Sequence, residues 1–200
     1  MMKQYLRLGL ILAAFAVAAC VGLAFVYAAT SDQIAANQDK QLNESLKGLF
    51  PDAEGFKDVT ADMTALAGES KLETAYVATR SGAVLGLAIK AHGPSYGGPV
   101  TVLVGMGTDR RIVGVRILTI SDTPGLGLNA SNPGYYVKKA EKVTFTGQFS
   151  GKLITDGFVV KQDVDAITAS TITSRSITAI VKASVDSGES WIERNALGGN

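Results

Sequence analysis

The chain has 200 residues, 46% of them hydrophobic, with 19 basic and 18 acidic side chains and a formal net charge of +1. That size suits one domain plus an anchor, and so even a charge balance gives no electrostatic footprint for nucleic acid. One Cys and one His exclude a disulfide framework and a Cys/His zinc site, and a Ser-His-Asp triad would have to use His92, with no nucleophile-elbow sequence to support it.

Residues 8–30, from Leu8 to Thr30, carry no charge. At about 1.5 Å per residue the run spans roughly 30 Å, enough to cross a bilayer core. Lys3 and Arg7 precede it and Asp32 is the first charge after it, so the positive-inside rule leaves the N-terminus in the cytoplasm and puts the residues after Thr30 outside. Three fates are open: an uncleaved anchor, cleavage near Tyr27-Ala28-Ala29, or lipidation at Cys20, since Val17-Ala18-Ala19-Cys20 resembles a lipobox. The apolar run continues well past Cys20, which a membrane span requires and a lipid-anchored terminus does not.

From Ser31 to Phe50 the spacing of Ile34, Leu42, Leu46, Leu49 and Phe50 predicts a second, amphipathic helix, stopped by Pro51. Residues 51–72 read as mixed and irregular. Two strand pairs come next. Residues 75–79 and 83–89 flank Arg80-Ser81-Gly82; residues 100–106 and 112–118 flank the turn Thr108-Asp109-Arg110-Arg111. Neither pair leaves room for a crossover helix, so the sheet is expected to be largely antiparallel.

Between the pairs, His92-Gly93-Pro94-Ser95-Tyr96-Gly97-Gly98-Pro99 reads as a loop, with His92 solvated. Asp122-Thr123-Pro124-Gly125-Leu126-Gly127 reads as a stiff turn, either a plain connection or a backbone wall that a planar ligand could approach. Residues 144–152 and 157–160 complete the domain. Last comes Asp165-Ala166-Ile167-Thr168-Ala169-Ser170-Thr171-Ile172-Thr173-Ser174, dense in hydroxyls. After it, Ile177, Ile180, Val181, Ser184, Val185, Gly188, Trp191 and Ile192 keep helical spacing over roughly 18 residues, from near Ser174 to near Glu193. The hydroxyl cluster thus sits ahead of a helix N-terminus, where free N–H groups favour an anion. A surplus N-cap is the alternative reading.

Residues 165–174 resemble the flavinylation motif Asp-x-Ile-Ser/Thr-Gly-Ala-Thr-x-Ser/Thr of a family of membrane-anchored flavoproteins. The family comprises the G subunit of the Rnf electron-transport complex and its relative, the C subunit of the sodium-pumping NADH:quinone reductase. There the second hydroxy-residue carries FMN through a phosphoester bond. Thr168 takes the Ser/Thr place, Ala169 the Gly, Ser170 the Ala, Thr171 the acceptor and Thr173 the final hydroxyl. The resemblance extends to the order of Ser95-Tyr96-Gly97-Gly98-Pro99, a hairpin and Asp122-Thr123-Pro124-Gly125-Leu126-Gly127. Two departures stand out: Asp122 replaces the usual Glu, and Ile120 replaces a His.

The resemblance implies an α+β fold, with an N-terminal transmembrane helix followed by one FMN-binding domain of largely antiparallel sheet and flanking helices. The expected division is 1–30 anchor, 31–73 helix and connection, 74–193 covalent FMN-binding domain, and 194–200 tail. Covalent FMN on Thr171 is implied, with Thr168, Ala169, Ser170, Thr173, Thr123, Pro124, Gly125, Leu126 and Gly127 around it. Arg175 could pair with the phosphodiester or be solvated. The implied function is electron carriage within an Rnf-type ion-translocating oxidoreductase complex, between ferredoxin and NAD, with the domain on the periplasmic side of the inner membrane. Partners would be the other membrane, iron–sulfur and flavin subunits. A separate flavin transferase using FAD and Mg²⁺ would load the cofactor, since this chain has no nucleotide-binding loop. The rival readings are an extracytoplasmic FMN carrier for another reductase, and a tethered module without redox chemistry.

Overall fold

A computed structural model describes residues 2–195 and divides the chain into two compact units between Asn43 and Glu44; from residue 196 the expected tail lies outside the described residues. Helix α1 is Met2–Leu49. The two helices expected on either side of Thr30 are therefore one. No Gly or Pro falls between Thr30 and Lys47, so nothing breaks the ladder where hydropathy changes. The hydroxyls at that boundary bond backwards instead of capping a new helix. Thr30 Oγ1 donates to the Val26 carbonyl at 2.9 Å, and Ser31 Oγ to that of Ala28 at 3.2 Å. In the first unit the helix is long and apolar enough to cross a membrane, and Leu6, Leu10, Phe15, Leu23 and Phe25 are all exposed.

The second unit is built on a five-stranded antiparallel meander in chain order: β1 Gly55–Asp58, β2 Lys71–Arg80, β3 Ala83–Pro94, β4 Pro99–Gly107 and β5 Ile112–Thr119. The antiparallel expectation holds, and so do both expected hairpin turns. Ser81 and Gly82 take positive φ at the first, and Arg110 does at the second. Two expectations are corrected. The segment read as irregular contributes β1, paired with β2 from Gly55↔Thr79 to Asp58↔Tyr76. His92 belongs to β3 and pairs with Thr101; its Nδ1 lies 2.9 Å from Glu73 Oε1. The β3–β4 connection shrinks to Ser95–Gly98, closed by the Ser95 amide donating to the Gly98 carbonyl at 2.9 Å.

One face of the meander carries Val77, Leu87, Ile89, Val102, Val104 and Met106, all buried. Helix α2, Thr171–Arg194, lies on β3 and β4. It buries Ile177, Ile180, Val181, Val185, Trp191 and Ile192, each contributing about 1.5–3 kcal/mol relative to exposure. On the opposite face the end of α1 seats Leu49 and Phe50 where three strands have no side chain. A Cβ on Gly114 would lie 2.9 Å from Leu49 Cδ2, and one on Gly86 would strike the Met106 carbonyl and the Phe50 ring. The remaining chain, with the short strands β6 Tyr136–Lys138 and β7 Val143–Thr144, closes the end of the core. Phe149 is its centre. Its ring meets Phe145 edge-on at 5.8 Å between centroids and Phe158 stacked at 6.3 Å.

Candidate functional site

The hydroxyl-rich stretch is held at its start by Gln148. That buried amide accepts from the Asp165 N–H at 2.7 Å and donates to the Asp165 carbonyl at 3.1 Å, reading both polar groups of one peptide residue. Further on, Ser174 Oγ accepts from the Ile167 amide at 2.9 Å and donates to the Ser170 carbonyl at 2.9 Å. The chain between them must turn tightly, and Ala169 does so at φ +59°. An L-residue there costs about 1–2 kcal/mol, which gives a physical reason for the Gly that the resembling motif carries at this place.

Helix α2 starts three residues earlier than the apolar spacing indicates, at Thr171, with Ser170 as N-cap. Ser170 makes no side-chain cap bond, so the surplus-cap reading does not describe it. Its Oγ is buried with no hydrogen-bond partner, and the residue is 7% exposed. The amides of Thr171, Ile172 and Thr173 also have no partner among the described residues, as the first turn of an α-helix leaves them. Thr171 itself is half-buried.

The turn after β5 comes up against this helix start. The amides of Leu126 and Leu128 both donate to the Thr123 carbonyl, at 3.1 and 3.2 Å. Gly125 sits at φ +76° with open space at its Cβ position. Gly127 is the point of contact: a Cβ there would lie 2.5 Å from Thr173 Oγ1 and 2.6 Å from Asp122 Oδ2. The two glycines thus serve different needs, Gly125 a backbone angle and Gly127 a close approach.

Asp122 ties the parts together. Its Oδ2 accepts from Ser95 Oγ at 2.7 Å and from Thr173 Oγ1, and its Oδ1 from the Gly97 amide at 2.7 Å. The β3–β4 hairpin, the turn and α2 therefore meet on one carboxylate that is only 4% exposed. Burial pushes the carboxyl pKa up. The hydrogen bonds from Thr173, Gly97 and Ser95 together outweigh it, so the pKa lies below the ordinary Asp value.

These segments enclose a cavity of about 550 Å³ lined by Tyr96, Asp122, Thr123, Leu126, Gly127 and the run Ala169–Thr173. Its size falls in the range of small-molecule and cofactor sites. Of the residues singled out from sequence, Thr171, Ala169, Ser170, Thr173, Thr123, Leu126 and Gly127 come together here. Thr168, Pro124 and Gly125 do not line it; the Thr168 amide instead donates to the Tyr135 hydroxyl oxygen at 3.2 Å. Arg175 is exposed and lines a separate cleft with Phe158 and Lys182. Sequence reasoning assigned no site role to Asp122, Tyr96, Ile172 or Gln148. Asp122 had a signal, as an acid opening the Thr-Pro-Gly turn, and Tyr96 had one in the Ser95–Pro99 loop that carries part of the resemblance.

The polar wall suits a phosphorylated ligand: three free amides and a buried hydroxyl without a partner offer donors and no fixed charge. Tyr96, Leu126 and Ile172 are exposed apolar side chains on the same cavity and suit a planar aromatic group. A flavin mononucleotide carries both.

Two family models match the chain, that of the FMN-binding domain over residues 95–186 and that of the RnfG N-terminal region over residues 1–49. The chain is similar to the G subunit of the ion-translocating oxidoreductase complex of Vibrio vulnificus, 30% identical over 93% of this chain and 90% of the relative. The corresponding protein of Shewanella baltica is 33% identical over 92% and 90%, and that of Cereibacter sphaeroides 33% over 86% and 79%. Among solved structures, NqrC of Shewanella oneidensis is similar at a TM-score of 0.48 and 16% identity, covering 72% of each chain.

Proposed function

The chain belongs to the family of G subunits of ion-translocating oxidoreductase complexes, and from that premise we propose that it carries electrons as a membrane-anchored flavoprotein with FMN esterified to Thr171. One observation carries the covalent assignment. Thr171 is the first residue of α2 and lines the cavity, so its oxygen and the free amides of the helix start share one wall. A phosphodiester formed there keeps one negative charge, which that helix terminus stabilises.

Bound FMN supplies the electron chemistry. The chain's own residues do the rest. Gly127 lets the turn pass close to α2, Asp122 holds turn, hairpin and helix in register, and Tyr96, Leu126 and Ile172 offer apolar surface to the ring. Attachment exchanges a phosphoanhydride bond for an ester. The Thr171 oxygen bonds to the FMN phosphorus of FAD, AMP leaves and the hydroxyl proton is lost. A separate Mg²⁺-dependent transferase performs that step. Residues after Thr30 lie on the periplasmic side, a reading supported by Lys3 and Arg7 ahead of the apolar run, and the partners are the membrane, iron–sulfur and flavin subunits of the complex.

Co-expression with a flavin transferase, followed by in-gel fluorescence of denatured protein and mass spectrometry of the peptide Ile167–Arg175, tests the reading. Wild type should retain flavin on Thr171, and Thr171→Val, nearly the same shape without the oxygen, should retain none. Flavin mapped to Thr168 or Thr173, or absent from wild type, would reject it.

A further inference from the structure

We propose that Ser170 is a positioning residue for the phosphoryl group, its hydroxyl donating a hydrogen bond to a phosphodiester oxygen of the cofactor attached one residue later. The inference rests on the assignment of FMN to Thr171 but goes beyond it. The resembling motif has Ala at this place, so the hydroxyl is a feature of this chain.

Ser170 Oγ is buried without a partner, although Ser is a preferred N-cap and the Thr173 amide stands three residues on. The neighbouring hydroxyls at the start of α2 are paired. Thr173 Oγ1 donates to Asp122, Ser174 Oγ to the Ser170 carbonyl, and Thr178 Oγ1 to the Ser174 carbonyl at 2.7 Å. A buried hydroxyl left alone is destabilising, and of the unpartnered buried hydroxyls of Thr74, Ser170 and Ser184 only that of Ser170 belongs to a residue lining this cavity. Ser170 lines the same cavity as Thr171, and a turn about its Cα–Cβ bond is all a Ser hydroxyl needs to change partner. What Ser170 Oγ lacks is an acceptor within reach. Asp122, the one carboxylate lining the cavity among the described residues, already takes three donors, whereas a phosphodiester brings two non-bridging oxygens that share one negative charge. The three helix amides and Ser170 Oγ then form one set of donors around the same group.

This arrangement makes a test whose sign depends on the cofactor. Ser170→Ala and wild type are each prepared as the full chain, with and without a flavin transferase, and melted. Without flavin, Ser170→Ala removes an unsatisfied buried hydroxyl and should raise Tm by about 2–4 °C. With flavin, the same substitution removes a hydrogen bond to a charged group and should lower Tm by a similar amount. The phosphodiester ³¹P resonance should shift in Ser170→Ala and return toward wild type in Ser170→Thr. Folded Ser170→Ala that no longer accepts flavin, with Ser170→Thr restoring acceptance, would equally support the contact. Equal Tm changes in both forms, failure of Ser170→Ala to fold, or an unmoved ³¹P resonance would make the hydroxyl structural and overturn the proposal. A change confined to the flavin absorption band would assign the contact to the ring and overturn it as well. Wild type without flavin on Thr171 would defeat the underlying reading instead, and mass spectrometry of the same samples distinguishes that case.

Discussion

Asp122→Ala should be the most damaging single change near the cavity. It removes the acceptor of three hydrogen bonds, two of them at 2.7 Å, and strands Ser95 Oγ, the Gly97 amide and Thr173 Oγ1. Bonds to a charged acceptor are worth about 1.5–3 kcal/mol each, but they do not add. The two hydroxyls can rotate toward new partners, while the Gly97 amide is fixed by the hairpin. We therefore expect a loss of about 3–5 kcal/mol, or about 10 °C in Tm for a domain of this size. Asp122→Asn keeps one carbonyl oxygen but turns an amide donor toward existing donors, and should lose roughly half as much. The pH dependence has a definite sign. The folded carboxyl titrates below its unfolded counterpart, so between the two values the unfolded chain binds more protons and stability rises with pH. The contribution is complete above the unfolded pKa of about 3.9 and disappears as pH falls through the folded one. Thermal melts of the three proteins from neutral pH downward are the assay. An Asp122→Ala protein melting within about 2 °C of wild type, or an Asp122→Asn protein with the wild-type acid slope, would refute the role given to this carboxylate.

The two turn glycines should separate. Gly127→Ala places a methyl against Thr173 and Asp122 and should disturb flavin absorption and lower occupancy. Gly125→Ala meets open space at φ +76° and should cost about 1 kcal/mol with an unchanged spectrum. Identical spectra for both would show the turn to be only a connection. Gly86→Ala should destabilise by about 1–3 kcal/mol, because the added carbon meets the Met106 carbonyl as well as the Phe50 ring; denaturant melts check this. A reporter active only after export, fused after Lys40, should be active, and activity of a cytoplasmic reporter there instead would reject the periplasmic assignment.

The β2–β3 and β4–β5 turns are legible in the sequence, because each is written in a few adjacent residues such as Ser81-Gly82. The body of α2 is legible too, from the recurrence of Ile177, Ile180, Val181 and Val185. Its start is less so. A hydroxyl run reads as a cap followed by a helix, yet only the backbone angles identify Ser170 as the boundary. The join in α1 is misread because hydropathy changes at Thr30 while helix propensity does not. His92 is misread because Gly93-Pro94 looks like a breaker, although Pro94 occupies the last place of β3, opposite Pro99. Asp122 illustrates what one-dimensional reading lacks. Its partners lie 25 to 51 residues away, and no local pattern announces such a meeting.

The meander has a temporal consequence. Every strand of the sheet pairs with its neighbour in the chain, so the sheet can assemble by short-range closures as synthesis proceeds. The cavity cannot. Its far wall is the first turn of α2, the last described element, which must dock on β3 and β4 before Thr173 reaches Asp122. Anything that recognises this cavity therefore meets a chain whose α2 has already docked, and a chain stopped short of α2 leaves a sheet with nothing to load. Occupancy of the site is in this sense a receipt for the docking of α2 on the sheet.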